Sequence, residues 1–236
     1  MLFYLALPFV ILDTILHTFL SMGAALIDRS GRLYNAVLRR WSKDLLWLLR
    51  IKATVHGVEN IQRGTNYVYL ANHASYLDII TLGATIPDNI RFIFKKEITK
   101  VPIFGWGLAL GPYITIDRAD PRNAMASIEK AAGEIRDGAS VAIFPEGTRS
   151  PDGELGQFKR GGFLLATRSG VPMVPVAIKG TYQLLSRHDF RVKPGRVEVT
   201  IGTPIPGKQD MNRAEEQAVQ AEVRAQLVRM LGESRR

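Results

Sequence analysis

The chain has 236 residues, 46% of them hydrophobic and 22% charged, which fits one large folded domain with an appendage and excludes a wholly disordered, collagen-like or polytopic membrane protein. It contains no cysteine, so a disulfide, a thiolate nucleophile and a sulfur-based zinc site are all excluded. Thirty-one Lys and Arg against 22 Asp and Glu leave a formal charge of +9, which calls for an anionic partner.

Residues 1–27 are apolar apart from Asp13 and a few polar side chains. The stretches on either side of Asp13 are each shorter than the roughly 18 residues of a spanning helix. On a helical wheel Asp13, Thr14, His17, Thr18, Ser21 and Asp28 share one narrow arc and leave a wide apolar face. That pattern suits a helix lying in the bilayer interface; a tilted spanning helix with Asp13 and His17 packed inward is the alternative. No Lys or Arg precedes Arg29, so a cleaved signal peptide is not expected.

Residues 29–50 carry Arg29, Arg32, Arg39, Arg40, Lys43 and Arg50 against the single Asp44, more than half of the chain's excess charge. Tyr34, Val37, Leu38, Trp41, Leu45, Leu48 and Leu49 recur at three-and-four spacing, so the segment reads as an amphipathic helix. A basic amphipathic helix with Trp41 and Trp47 suits an anionic membrane surface. Packing against a core with a solvated basic face is the other reading.

From residue 51 short apolar runs alternate with helical stretches, the signature of an α/β domain. Strands are expected at 52–56, 66–71, 91–94, 113–116, 141–144, 172–178 and 196–201, and helices near 76–86, 102–110, 121–136, 160–169 and 210–231. No internal repeat or linker divides this part. The expected organisation is an N-terminal two-helix membrane-associating segment, 1–50, and an α/β domain, 51–236, with a mixed central sheet flanked by helices.

Chemistry gathers where strands end. The run Tyr67-Val68-Tyr69-Leu70-Ala71 leads into Asn72-His73-Ala74-Ser75-Tyr76-Leu77-Asp78. A His at a strand-to-helix turn with a carboxylate five residues on can form a pair in which Asp78 orients the imidazole and His73 acts as a general base. A structural His beside a helix cap explains the same spacing. His17, His56 and His188 share no metal-ligand spacing with it, and no metal is expected. The second cluster is Phe144-Pro145-Glu146-Gly147-Thr148-Arg149-Ser150, after the strand Val141-Ala142-Ile143. Gly147, Thr148 and Arg149 supply close backbone approach, a hydroxyl and a planar cation, suited to a phosphate monoester. Glu146 suits a substrate hydroxyl or a brace for Arg149, and a plain turn accounts for the same residues. Lys95 and Lys96, Arg118, and Lys159 with Arg160 are further cations near element ends.

Taken together, these blocks resemble the glycerolipid acyltransferase family, and within it the 1-acyl-sn-glycerol-3-phosphate acyltransferases. The resemblance rests on Asn72 through Asp78; on Lys95-Lys96-Glu97-Ile98, Pro102, Phe104-Gly105 and Ile116-Asp117-Arg118; on Phe144 through Ser150; and on Val171-Pro172-Met173-Val174-Pro175-Val176, in the family's order over roughly residues 50–205. Pro112 departs from the family's usual Gly, and Thr115 from a usual aromatic.

The resemblance implies transfer of a fatty acyl group from acyl-coenzyme A or acyl carrier protein, as co-substrate, to the sn-2 hydroxyl of lysophosphatidic acid, with no other cofactor. It implies His73 as the base, Asp78 as its partner, and Lys95, Arg118 and Arg149 as phosphate contacts, with Glu146, Gly147 and Thr148 in that pocket. A thioester is already activated and needs only a deprotonated, well-placed alcohol, so no covalent acyl-enzyme is required. The partners implied are anionic membrane lipids at the cytoplasmic face, with no nucleic acid. Other acceptors, another lysophospholipid or an acylated amino lipid, would use the same four blocks. A serine esterase using Ser75 is disfavoured because Gly-x-Ser-x-Gly is absent. A non-catalytic lipid-binding protein has no need of the His73 and Asp78 pair.

Overall fold

The computed structural model describes residues 2–116 and 121–232. Its elements are α1 (Leu2–Ile27), α2 (Arg32–Leu48), β1 (Ile51–His56), β2 (Val68–Ala71), α3 (Leu77–Thr85), β3 (Ile90–Lys95), α4 (Phe104–Leu110), β4 (Ile114–Ile116), α5 (Pro121–Arg136), β5 (Ser140–Ile143), α6 (Arg160–Ser169), β6 (Met173–Lys179), α7 (Thr181–Leu184), β7 (Gly195–Ile201) and α8 (Arg213–Leu231). The expected strands and longer helices are all present, with ends displaced by a few residues. The last helix starts later than its periodicity indicates because Asn212 accepts the Ala214 and Glu215 N–H groups and Glu215 reaches back to the Asn212 N–H, a capping box. The one-turn helix α7 has too few residues to show a period.

The strands form one mixed sheet in the order β1-β7-β6-β2-β5-β3-β4, and only the β6–β7 pair is antiparallel. Every residue of β2 and β5 is buried, which is why these strands read as continuous apolar runs rather than as alternations. On one face Val68, Leu70, Val141 and Ile143 pack against Ile135 of α5, Leu165 of α6 and Leu227 of α8. On the other, Tyr69, Phe92 and Val174 pack with Leu82 of α3 and Leu38 of α2.

The helix pair is fastened to this domain. Leu46 and Leu49, at the end of α2, share an apolar cluster with Ile51, Leu77, Leu184 and Val197. Tyr34 Oη donates to the Gly107 carbonyl at 2.8 Å and Asn35 Nδ2 to the Ile90 carbonyl at 2.6 Å. Pro112, the departure from the family pattern, sits against Gly31, where a Cβ would meet the Pro112 ring at 2.8 Å. Gly31 holds a φ of 75° at the start of α2, a left-handed backbone that also favours glycine.

Helix α1 runs unbroken through Asp13, and its Phe3–Ile27 stretch is long and apolar enough to cross a membrane by length and composition. Its polar arc does not face water. Here His17, Thr18 and Ser21 are buried, and Leu5, Phe9, Leu12, Leu16, Phe19 and Leu20 point outward. The polar arc finds partners inside the protein. Trp41 Nε1 donates to Thr14 Oγ1 at 3.2 Å, His17 Nε2 lies 3.7 Å from Asp44 Oδ2, and His17 Nδ1 lies 3.2 Å from Asp13 Oδ1. Asp13 and His17 thus pack inward, an arrangement compatible both with a spanning helix and with one lying in the interface with its apolar face toward lipid. Helix α4 approaches closely enough that a Cβ on Gly107 would meet Thr18 at 3.0 Å.

Candidate active site

His73 stands just beyond β2, and Phe144 just beyond β5, its parallel neighbour. The two loops therefore leave the sheet side by side at the carboxyl ends of the strands, where α/β sheets place ligands.

Asp78, in the first turn of α3, is fully buried. Its Oδ2 lies 2.9 Å from His73 Nδ1 and accepts the Ala74 and Ser75 N–H groups, each at 2.8 Å. A helix N-terminus favours a carboxylate at this place. An ionised carboxylate only accepts, so in the neutral imidazole the proton sits on Nδ1 and the lone pair on Nε2. The imidazole is stacked on Phe144, with ring centroids 4.0 Å apart and planes 17° from parallel. Ser75 is fully buried, and its Oγ accepts the Leu77 N–H at 3.1 Å, a helix-capping role.

The second loop grips the backbone of His73 from both sides. Glu146 Oε1 accepts the His73 N–H at 2.7 Å, and the Ser150 N–H donates to the His73 carbonyl, also at 2.7 Å. Glu146 Oε2 accepts the Gly156 N–H at 2.9 Å. A Cβ on Gly156 would come within 2.7 Å of that oxygen, so the close approach requires glycine. Burial pushes the Glu146 carboxyl up to about 7, against the opposing pull of its two N–H donors.

Gly147 turns the chain with a φ of 69°, Thr148 is exposed, and the Arg149 guanidinium lies over the Tyr76 ring, 3.6 Å from its centroid. The structure thus brings His73, Asp78, Glu146, Gly147, Thr148 and Arg149 into one neighbourhood. Lys95 ends β3, beside β5, but its side chain lies outside the described residues, as does Arg118 altogether.

Tyr76 also lines an apolar cavity of about 390 Å³ between α1, α2, α3 and α4, with Leu38, Trp41, Ile79, Phe104 and Leu108 in its walls. Among the described residues, Asp13, His17 and Asp44 have ligand atoms close enough to share a metal ion; the group lies in the helix pair and includes neither His73 nor Asp78. No motif in the sequence assigns a task to Phe144, Tyr76 or Gly156. The aromatic at the first position beyond a strand and the aromatic between a His and an Asp were the available signals. Gly156 gave none, because its partner is ten residues away.

A family model described as Acyltransferase matches residues 52–179, and the chain belongs to that family. It is 35% identical over 77% of its length to the chloroplastic 1-acyl-sn-glycerol-3-phosphate acyltransferase of Brassica napus, covering 53% of that protein. It is 36% identical, again over 77% of its length, to the 1-acyl-sn-glycerol-3-phosphate acyltransferase of Pseudomonas aeruginosa, covering 71% of that protein. It spans about half the length of its relatives from Brassica napus, Arabidopsis thaliana and Cocos nucifera. Among solved structures, the 1-acyl-sn-glycerophosphate acyltransferase PlsC of Thermotoga maritima superposes with a TM-score of 0.75 at 27% identity, over 95% of each chain.

Proposed function

We propose that this protein transfers a fatty acyl group from a thioester, acyl-coenzyme A or acyl carrier protein, to the sn-2 hydroxyl of lysophosphatidic acid, forming phosphatidic acid. The observation that carries the reading is the His73 and Asp78 pair: Nδ1 lies 2.9 Å from a buried carboxylate, one loop away from the Arg149 guanidinium. Nε2 takes the hydroxyl proton as the oxygen attacks the thioester carbonyl. The tetrahedral intermediate collapses, the C–S bond breaks, and the imidazolium returns its proton to the departing thiolate. Asp78 holds the ring and stabilises its charged form. Arg149, with Lys95, Arg118, Gly147 and Thr148, receives the acceptor phosphate. Glu146 acts through the His73 backbone rather than on substrate.

The apolar cavity beyond Tyr76 would take an acyl chain, and the outward apolar face of α1 with the basic face of α2 would seat the protein on an anionic membrane, at its cytoplasmic side where soluble thioester donors are met. A Ser75 nucleophile is disfavoured by its burial and capping bond. The test is an assay of the purified full chain with lysophosphatidic acid and radiolabelled acyl-coenzyme A or acyl carrier protein, the product identified by mass. Parallel reactions with other lysophospholipids and with acylated amino lipids settle the acceptor. No phosphatidic acid with either donor would reject the proposal.

A further inference from the structure

The segment from Ser186 to Pro194, between α7 and β7, plays no part in the chemistry above, yet it carries Phe190, which at 90% exposure is the most exposed large apolar side chain among the described residues. The loop is tied down. The Lys193 N–H donates to the Leu184 carbonyl at 2.9 Å, the Asp189 N–H to the Ser186 carbonyl at 3.3 Å, and Asp189 Oδ1 accepts the Arg191 N–H at 2.9 Å. Val192 packs into the cluster that holds Leu46 and Leu49 of α2, with Phe3 and Val10 of α1 against the same cluster. The ring is therefore held outward by a hydrogen-bonded loop whose Val192 shares an apolar cluster with the helix pair.

Its surroundings are basic. Arg187, His188, Arg191 and Lys193 are all exposed, and the single acid of the loop, Asp189, is engaged with the loop's own backbone. A lone aromatic among cations suits a bilayer interface, with the ring at the boundary between headgroups and acyl chains and the cations among lipid phosphates. Continuity favours a membrane over an acidic protein as the occupant, because Val192 shares an apolar cluster with Phe3 and Val10 of α1, a helix whose outward face is apolar, and with Leu46 and Leu49 at the end of α2, where Trp47 is 77% exposed.

We propose that this loop is a second membrane contact, separate from the helix pair, in which Phe190 enters the interface of an anionic bilayer and Arg187, Arg191 and Lys193 bind headgroup phosphates. Arg187 Nη1 also donates to the Arg149 carbonyl at 3.4 Å, so the contact is joined to the loop that holds the proposed acceptor site. The inference rests on the membrane reading of α1 and α2, and the test separates the two.

The chain has no cysteine, so Phe190→Cys and Leu12→Cys each accept one environment-sensitive fluorophore at a single site. Leu12 lies on the outward face of α1. The full-length variants are mixed with vesicles of phosphatidylcholine, with and without phosphatidylglycerol, and with lipids carrying quenchers at shallow and deep positions. The expected result is a blue shift at both sites, with position 190 quenched by shallow lipids and only when phosphatidylglycerol is present. Replacing Arg191 and Lys193 together (Arg191→Gln, Lys193→Gln) should lower partitioning onto the anionic vesicles by roughly thirtyfold, a factor of about five for each basic side chain taken from the anionic surface, while activity in detergent micelles is unchanged. Position 12 entering the bilayer while position 190 stays aqueous overturns the loop contact and leaves the membrane reading standing. Neither site entering overturns both. A shift at position 190 with acidic carrier protein but not with vesicles overturns the proposal in favour of a protein partner.

Discussion

Replacing Asp78 by Asn isolates the electrostatic part of the proposed mechanism. The amide oxygen can keep the place of Oδ2 and still accept from His73 Nδ1 and from the Ala74 and Ser75 N–H groups, so ring orientation survives. What is lost is the negative charge facing the imidazolium that forms during transfer. Two unit charges about 4 Å apart interact by about 4 kcal/mol at an effective dielectric of 20. With part of that recovered by the neutral hydrogen bond, a fall in kcat of roughly 100- to 1,000-fold is expected. His73→Ala removes the base itself and should lose at least as much, at the upper part of the roughly 100- to 10,000-fold range of a positioned base. The fold should tolerate His73→Ala, because Asp78 keeps its two backbone donors. Single-turnover transfer to lysophosphatidic acid measures the chemical step, and thermal unfolding checks that each variant is folded. Near-wild-type kcat in a folded Asp78→Asn variant would reduce Asp78 to a helix cap. Near-wild-type turnover by His73→Ala would remove the base, and an acyl group trapped on Ser75 would replace the mechanism.

Arg149→Ala should lower kcat/KM for lysophosphatidic acid by roughly 10- to 150-fold, the worth of a charge-assisted hydrogen bond, while changing far less the slower transfer to monoacylglycerol, which lacks the phosphate; equal losses on both acceptors would assign Arg149 to the donor or to structure. Arg149→Lys should recover only part of the loss, since the planar fork is gone. Tyr76→Leu should raise KM for lysophosphatidic acid by roughly 2- to 30-fold through the lost cation–π support, with Tyr76→Phe close to wild type; equal behaviour of the two variants would refute that support. Glu146 predicts a pH dependence of stability: its carboxyl titrates near 4.5 when unfolded and about 7 when folded, so between those values the folded state binds more protons, and stability falls as pH rises through the window and levels off above it. Glu146→Gln should remove that slope, so its cost relative to wild type changes with pH across the window. Its amide cannot accept from both the His73 and the Gly156 N–H, a loss of about 1–3 kcal/mol; an unchanged slope in urea unfolding would show that another group titrates.

The parts of this protein legible in the sequence are those governed by short-range pattern. Strands buried on both faces are apolar runs, α2 has a clean period, and the His73 to Asp78 spacing is short enough for one strand-to-helix turn to bring the two together. The orientation of α1 was not legible, because a polar arc on an apolar helix describes equally a helix floating with its arc in water and one with its arc docked on protein. What decides is the partner, and Trp41 and Asp44, which meet Thr14 and His17, lie some thirty residues away in another helix. The brace from Glu146 to the His73 N–H spans 73 residues, and the sequence showed a carboxylate without its donor. The shared cluster of Leu46 and Leu49 with Ile51 and Leu77 also bears on how the helix pair can be tested: deleting residues 1–50 would strip core side chains along with any membrane contact, so single-site labels are the cleaner probe.

The order of the sheet explains why blocks so far apart in the chain serve one chemistry. Strands β6, β2, β5, β3 and β4 lie next to one another and all run parallel, so their carboxyl ends open on the same edge. His73 follows β2, the Phe144 to Ser150 loop follows β5, and Lys95 closes β3, so adjacent strands deliver the proposed base, the proposed phosphate loop and a further cation in that spatial order. The order along the chain is different, since β3 and β4 intervene between β2 and β5. A helical crossover must separate parallel neighbours, which sets the long spacing between blocks, whereas each block stays short because it is a single strand-end loop. The base and the phosphate loop are then fixed to each other by two bonds to the His73 backbone, one from the Ser150 main chain and one from the buried Glu146 carboxyl, so their separation does not rest on exposed side chains. For the proposed reaction, which asks an enzyme chiefly to hold an alcohol beside a base and a thioester, such rigidity is what the fold would supply.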